Sequence, residues 1–209
     1  MVAHVFGVAG ESSSVLEPQL AGTHYPADPD DLADAVTRCI VGAQAKPLGN
    51  PKLLIAPNGP LAQAGTVIAS ALAGLAIRSE IIRRVVIVGS AHKMILRGLA
   101  VPFAEAMRTP LGEVPIDRFM LNRLKPFAEV SVDDRPFLGE ATVEVLLPFL
   151  QICLDRFEVV PILIGNAEPK LIEAVLEAVW GGPETLIIVS SNLSSEARDD
   201  KVRAIDAET

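Results

Sequence analysis

The chain has 209 residues, half of them hydrophobic and 21% charged, a balance that excludes intrinsic disorder and supplies a core without disulfides or a structural metal. The 18 Lys and Arg against 26 Asp and Glu give a formal charge of −8 with no Lys/Arg-rich block. That excludes a phosphate-tracking groove for nucleic acid and disfavours an anionic membrane surface.

Residues 1–17, with a cluster at Ser12 to Ser14, are expected to form a poorly ordered extension, followed by one domain over 18–209. Asp28-Pro29-Asp30-Asp31 predicts a helix start: Asp28 as N-cap, Pro29 in the first turn, and two acids facing the positive helix end. Leu32, Ala35, Val36, Cys39 and Ile40 then share one apolar face, and Gly42 and Pro47 close the helix. Lys52 to Ala56 is an apolar run expected to be a buried strand, ended by Pro57-Asn58-Gly59-Pro60. A small-residue helix over about Gly65 to Ala76 follows. Arg84 to Val88 predicts a second buried strand and Leu99 to Phe103 a third.

Thr109 to Glu113 reads as a turn and Arg118 to Leu124 as a helix. Glu140 to Leu154 has a helical pattern, with Pro148 predicting a kink or a junction of two helices. In the strand Phe157 to Ile164, Pro161 predicts a bulge or an edge position. A helix over Lys170 to Val179, a strand over Thr185 to Val189 and a helix over about Arg198 to Ala207 complete the chain. Trp180 is expected to anchor a helix end. Alternating apolar strands and helices predict an α/β fold, a single domain with a largely parallel central sheet flanked by helices. In such sheets the loops after the strands carry the site, here those around Asn58, around His92 and from Ser190 to Ser195.

Cys39 and Cys153, the two cysteines, exclude a disulfide scaffold by number and are expected to pack as small hydrophobes. No Lys or Arg precedes the N-terminal apolar run, so no secretory signal is expected. The longest nearly uncharged stretch, Thr66 to Ile77, is about 12 residues where a bilayer needs about 20. A cytoplasmic location is expected. Dinucleotide and P-loop fingerprints, a G-x-S-x-G elbow, C-x-x-C and H-E-x-x-H are all absent.

Six segments together carry a family resemblance. They are Ala21 to Pro29 (AGTHYPADP), Ile55 to Gly59 (IAPNG), Val88 to His92 (VGSAH), Thr109 to Asp117 (TPLGEVPID), Glu140 to Gln151 (EATVEVLLPFLQ) and Ser190 to Ser194 (SSNLS). Their order and spacing resemble the Memo-like family, also called AmmeMemoRadiSam system protein B, whose fold is related to class III (LigB-type) extradiol dioxygenases. The similarity runs from about Pro18 to Asp206. The resemblance implies a Memo/LigB-like fold with a metal-binding cleft. It also identifies the chain as a degenerate and C-terminally short member, because relatives continue into a segment that supplies a third metal-ligand position.

The departures from the family pattern carry the functional expectation. Where the family has P-H-A-G-Y, this chain has Pro57-Asn58-Gly59-Pro60-Leu61. The histidine of G-P-S-H is kept as His92. The E-H-S-x-E pattern has Ala141 for histidine, and S-S-D-x-S-H has Asn192 for aspartate and Ser195 for histidine. Three imidazoles and a negative charge are thereby lost. An amide oxygen is a weak ligand, and one imidazole does not hold a transition metal.

The candidate cleft residues are therefore Asn58, His92, Glu140, Glu144, Asn192, Ser195 and His24, with no metal ligand set, no assigned catalytic residue and no cofactor. Each has a plainer alternative. His92 is a residual ligand or a loop imidazole satisfied by backbone or water. His24 either replaces a lost imidazole or fills an aromatic slot, and His4 is a solvated bystander. Glu140 and Glu144, four apart, are a carboxylate pair on one helix face or a solvated or backbone-bonded one. The Ser190 to Ser195 run is a polar strand-to-helix connection before it is a catalytic array.

The preferred expectation is a non-catalytic binding or scaffold protein with a vestigial metal cleft, taking a small ligand or peptide. The alternative is a metal-dependent dioxygenase or oxidoreductase using His24 and His92, or a metal-free hydrolase using the serines. Self-association through an uncovered sheet edge is compatible with either.

Overall fold

Asp28 starts the first helix by the chemistry its sequence predicts: its carboxylate accepts from the backbone N–H groups of Asp30 and Asp31 at 3.0 and 3.1 Å, and helix α1 spans Pro29–Gly42. The computed structural model describes residues 14–43 and 49–192. The expected helix over Arg198 to Ala207, Ser194, Ser195, His4 and residues 1–13 of the extension lie outside them.

The strands are β1 (Val15–Leu16), β2 (Leu53–Ala56), β3 (Arg84–Ser90), β4 (Leu99–Val101), β5 (Ala106–Thr109), β6 (Gly112–Pro115), β7 (Val130–Val132), β8 (Glu158–Ile164) and β9 (Thr185–Ser190). The further helices are α2 (Leu61–Leu72), α3 (Arg118–Asn122), α4 (Ala141–Glu144), α5 (Leu147–Cys153) and α6 (Pro169–Val179). Six strands form the main sheet in the order β2-β9-β3-β8-β4-β7, parallel throughout except for the β4–β8 pair. A separate small sheet has the order β1-β5-β6. The β5–β6 hairpin turns at Pro110-Leu111, within the predicted turn. Val15 and Leu16, inside the expected extension, pair in parallel with β5.

Central β3 is buried from Val85 to Gly89, so both of its faces are covered. On the helical side α1, α2 and α5 pack together, α2 rests on β2 and α4 on β3. Pro148 lies in the first turn of α5, and the expected junction of two helices falls between α4 and α5. A proline there forfeits only an N–H that has no helical partner. Leu61 to Arg78 is an 18-residue helical stretch of mean hydropathy 1.4, which meets a spanning criterion by length and composition. Its last part is a 3₁₀ turn, and Ile68, Ala69, Leu72 and Leu75 are buried in the domain core.

Two strand expectations are corrected. The apolar run ending at Ala56 is not a fully buried strand, because β2 lies at the sheet edge and leaves Leu53 and Ile55 40% and 58% exposed. An apolar run satisfies either position, and only the strand order decides. Pro161 marks neither a bulge nor an edge. It sits in interior strand β8, in unbroken register opposite Ile87. Glu158 donates to Arg83 and Ile164 accepts from Ala91, so even-numbered β8 residues bond toward β3. Pro161 therefore faces the β4 side, where the antiparallel ladder ends at Ala100 opposite Leu163. No ladder donor is needed at that point.

Candidate functional site

The parallel register of β2, β9 and β3 sets Ala56, Ser190 and Gly89 level with one another. The loops that follow therefore leave the same end of the sheet, bringing Asn58, His92 and Asn192 to it. Asn58, buried at 6% exposure, is locked to Asn192 in both directions. The Asn58 backbone N–H donates to Asn192 Oδ1 at 2.8 Å, and Asn192 Nδ2 donates to Asn58 Oδ1 at 2.8 Å. Asn58 Nδ2 also donates to Ser190 Oγ at 2.9 Å. Two carboxamides suit this exchange because each carries both a donor and an acceptor. An aspartate at 192 would take the backbone bond but would set a carboxylate against Asn58 Oδ1.

A second cluster adjoins the first. Glu140 is the N-cap of α4, at 3% exposure. Its carboxylate accepts from the backbone N–H groups of His92 (2.6 Å), Lys93 (3.2 Å) and Thr142 (3.2 Å). His92 Nδ1 lies 3.1 Å from Glu140 Oε1, and the Thr142 hydroxyl lies 2.9 Å from both that oxygen and the Ser90 carbonyl. Burial works against the charge on Glu140, but the hydrogen bonds from His92 and Thr142 outweigh it and hold the carboxyl below its ordinary range. Against an ionised acceptor Nδ1 carries the proton, so the imidazole turns Nε2 outward with no hydrogen-bond partner among the described residues; its side chain is 56% exposed.

Gly89 is where the two clusters touch. A Cβ there would lie 2.5 Å from the Ser190 carbonyl oxygen and 2.6 Å from Thr142 Cγ2. Gly89→Ala is expected to destabilise the domain by about 1–3 kcal/mol through overpacking, read as a lower urea midpoint at unchanged slope. A wild-type midpoint would show that the clusters are not in contact.

The remaining candidates lie apart. Glu144 does not join Glu140; it accepts from Tyr25 Oη (2.5 Å), the Leu20 N–H (2.8 Å) and the Gln19 N–H (3.2 Å). Burial, then the bond to Glu144, pushes the Tyr25 hydroxyl far above its ordinary range. His24 lines a hollow between the 22–26 turn, α1 and α2, and its Nδ1 lies 3.3 Å from Thr23 Oγ1. Ser195 lies outside the described residues. Cys153 is buried, its thiol pushed up to about 11 by desolvation. Trp180 caps α6 with Lys52 Nζ 5.5 Å from its ring centroid. Ser190 belongs to the Ser190 to Ser195 run expected to be a polar connection, while Thr142 and Tyr25 are not among the candidate residues; all three lie within the quoted segments. Their side chains gain meaning only from partners 52, 132 and 119 positions away.

The family-specific stretches also meet each other. Thr109 Oγ1 donates to Gln151 Oε1 at 2.6 Å and Gln151 Nε2 donates to the Gly112 carbonyl at 3.2 Å. Asp117 accepts from Arg84 Nε at 2.5 Å and caps α3 through the Met120 N–H. The model of the family described as Memo-like protein matches residues 17–208. The chain belongs to the Memo-like family. A MEMO1 family protein of Aquifex aeolicus is 28% identical over 196 residues, covering 92% of this chain and 72% of that relative. One from Thermotoga neapolitana is 29% identical over 195 residues, covering 86% and 70%. The protein memo-1 homolog of Caenorhabditis elegans is 26% identical over 178 residues, covering 82% and 50%.

Among the described residues, the donor set at this sheet end does not fit the metal that the Memo-like resemblance implies. Among the described residues no three His, Cys, Asp or Glu side chains converge. His92 has one nitrogen engaged by Glu140, and the Asn58 amide oxygen is taken by Asn192.

Proposed function

We propose that this Memo-like chain is a non-catalytic binding or scaffold protein that uses the end of the sheet around Asn58, His92 and Asn192 for a small polar ligand or peptide, with the metal-holding function of the cleft lost. The observation that carries this reading is the closed Asn58–Asn192 exchange. It occupies the position where the family pattern has an imidazole and a carboxylate, and it engages the one side-chain oxygen of residue 58. Two neutral carboxamides satisfy each other here through paired donors and acceptors.

The test is elemental analysis of protein purified without chelators. Iron, copper and zinc are each expected well below one per chain. The Asn58→His/Asn192→Asp double variant restores an imidazole and a carboxylate beside His92, and is expected to bind Fe(II) or Zn(II) at least about tenfold more tightly than wild type, a difference of about 1.4 kcal/mol. One tightly held metal per wild-type chain would overturn the proposal.

The second reading, a metal-dependent dioxygenase or oxidoreductase, is favoured by one feature. The His92–Glu140 pair presents a free imidazole nitrogen backed by a buried carboxylate, an arrangement used for bases and for metal ligands alike. Catechol turnover with added Fe(II), lost in His92→Ala, would establish it.

A further inference from the structure

Two hollows of about 580 Å³ lie outside this end of the sheet, and their charges differ. One, at the start of β3 and β8, has Arg83 and Arg156 set among Glu113, Asp155 and Glu158, so carboxylates outnumber cations there. The other lies between the 22–26 turn, α1 and α2. Thr23, His24, Arg38, Thr66, Cys39 and Leu61 line it, and among the described residues no carboxylate borders it. The lining sets one arginine with hydroxyl, imidazole and apolar groups, in a chain of formal charge −8.

The charged group there is also uncommitted. Arg38 is exposed and makes no hydrogen bond or ion pair among the described residues, although Asp34 precedes it by one helical turn. Thr23 Oγ1 donates its hydrogen to the Leu20 carbonyl at 2.9 Å. The proton between it and His24 Nδ1 therefore sits on the imidazole. The position of the turn is secured from two sides: the Leu61 N–H donates to the His24 carbonyl at 2.7 Å, and Tyr25 is held by Glu144.

We propose that this hollow binds a small organic oxyanion, a carboxylate or a phosphate ester with a short apolar body. The Arg38 guanidinium is the charged contact, the Thr66 hydroxyl supplies a polar one, and Leu61 receives the apolar part. A planar guanidinium matches two oxyanion oxygens, and an apolar floor with a few convergent donors is the usual composition of a small-ligand site. The site is separate from the Asn58–Asn192 cluster and stands or falls independently of it.

The probes are inorganic phosphate and butyrate, titrated into the full chain and followed by amide chemical shifts, with Arg38→Ala and Arg135→Ala compared. Arg135 is an exposed arginine already paired with Asp133. At least one probe is expected to saturate, with a Kd below about 10 mM and shifts concentrated at residues 22–26, 35–39 and 61–66. Arg38→Ala should weaken that binding at least about tenfold, and Arg135→Ala should leave it unchanged. Phosphate alone would identify a phosphoryl ligand, butyrate alone a carboxylate. Failure of both probes to saturate, binding that survives Arg38→Ala, or equal losses in the two variants would overturn the proposal.

Discussion

Arg84→Met lowers the unfolding free energy by about 3–5 kcal/mol, the cost of leaving a buried carboxylate without its partner. Arg84 donates from Nε to Asp117 Oδ2 at 2.5 Å, and from Nη1 to Glu184 at 3.1 Å and to Thr185 Oγ1 at 3.0 Å. The side chain of Asp117 is only 3% exposed. After substitution Asp117 keeps its bond from the Met120 N–H, but its other oxygen loses its charged donor. Burial and the nearby Asp117 already raise the Glu158 carboxyl above its ordinary range, and removing Arg84 removes the one cation moderating that repulsion. Against a typical domain stability of 5–15 kcal/mol the loss is large.

Urea unfolding of four proteins checks this: wild type, Arg84→Met, Asp117→Asn and the double variant. Asp117→Asn retains the α3 cap and removes the charge that needs a partner, so the double variant should regain more than about 1 kcal/mol over additivity. A cost below about 1 kcal/mol for Arg84→Met would place the pair among ordinary surface ion pairs.

Glu144→Ala is expected to cost a similar amount, about 3–5 kcal/mol, by orphaning two buried donors at about 1–3 kcal/mol each and leaving a small void. The donors are Tyr25 Oη and the Leu20 N–H, in residues 5% and 7% exposed. Among the described residues no cation pairs with this carboxylate, and its hydrogen bonds come from neutral donors. Glu144→Gln keeps an acceptor oxygen and should lose less, and Tyr25→Phe should lose less again because it removes one bond. Amide exchange distinguishes a local clasp from general damage: the Leu20 amide should lose protection in Glu144→Ala beyond the global change. Unaltered stability together with an unaltered Leu20 amide would show that the 17–25 segment is held by other contacts.

These two interactions give the family motifs a physical meaning. Asp117 and Thr109 close the T-P-L-G-E-V-x-x-D stretch onto Arg84 and Gln151, and Glu144 ties the E-x-x-x-E stretch to Tyr25. Their work is to hold the scaffold. That role is independent of Asn58, Ala141 and Asn192, which make none of these bonds. The Asn58→His/Asn192→Asp substitutions therefore need not disturb them.

The candidate pair Glu140 and Glu144 shows where pattern reasoning stops. Four positions apart, they would share a face of one continuous helix. Glu140 is instead the extended N-cap, with φ −88° and ψ 119°, and only Ala141 to Glu144 are helical before the α4–α5 junction. The spacing rule assumes five consecutive helical residues, so the two carboxylates take different partners. Pro161 failed as an edge marker for a related reason: a missing N–H matters only if a neighbouring strand asks for it, and β4 ends before reaching it.

Interactions within a few residues could be read directly along the chain. The Asp28 cap, the apolar faces of α1 and α6, the Pro148 junction and the alternation of strands with helices all arise from chemistry spanning at most a turn or two. Which strand became the edge, which distant donors reached Glu140 and Glu144, and how Asn58 met Asn192 depended on pairings between residues 47 to 134 positions apart. Such contacts leave no period or spacing to detect, because the chain between them can take many paths. Packing the sheet and its helices into one core selects among those paths.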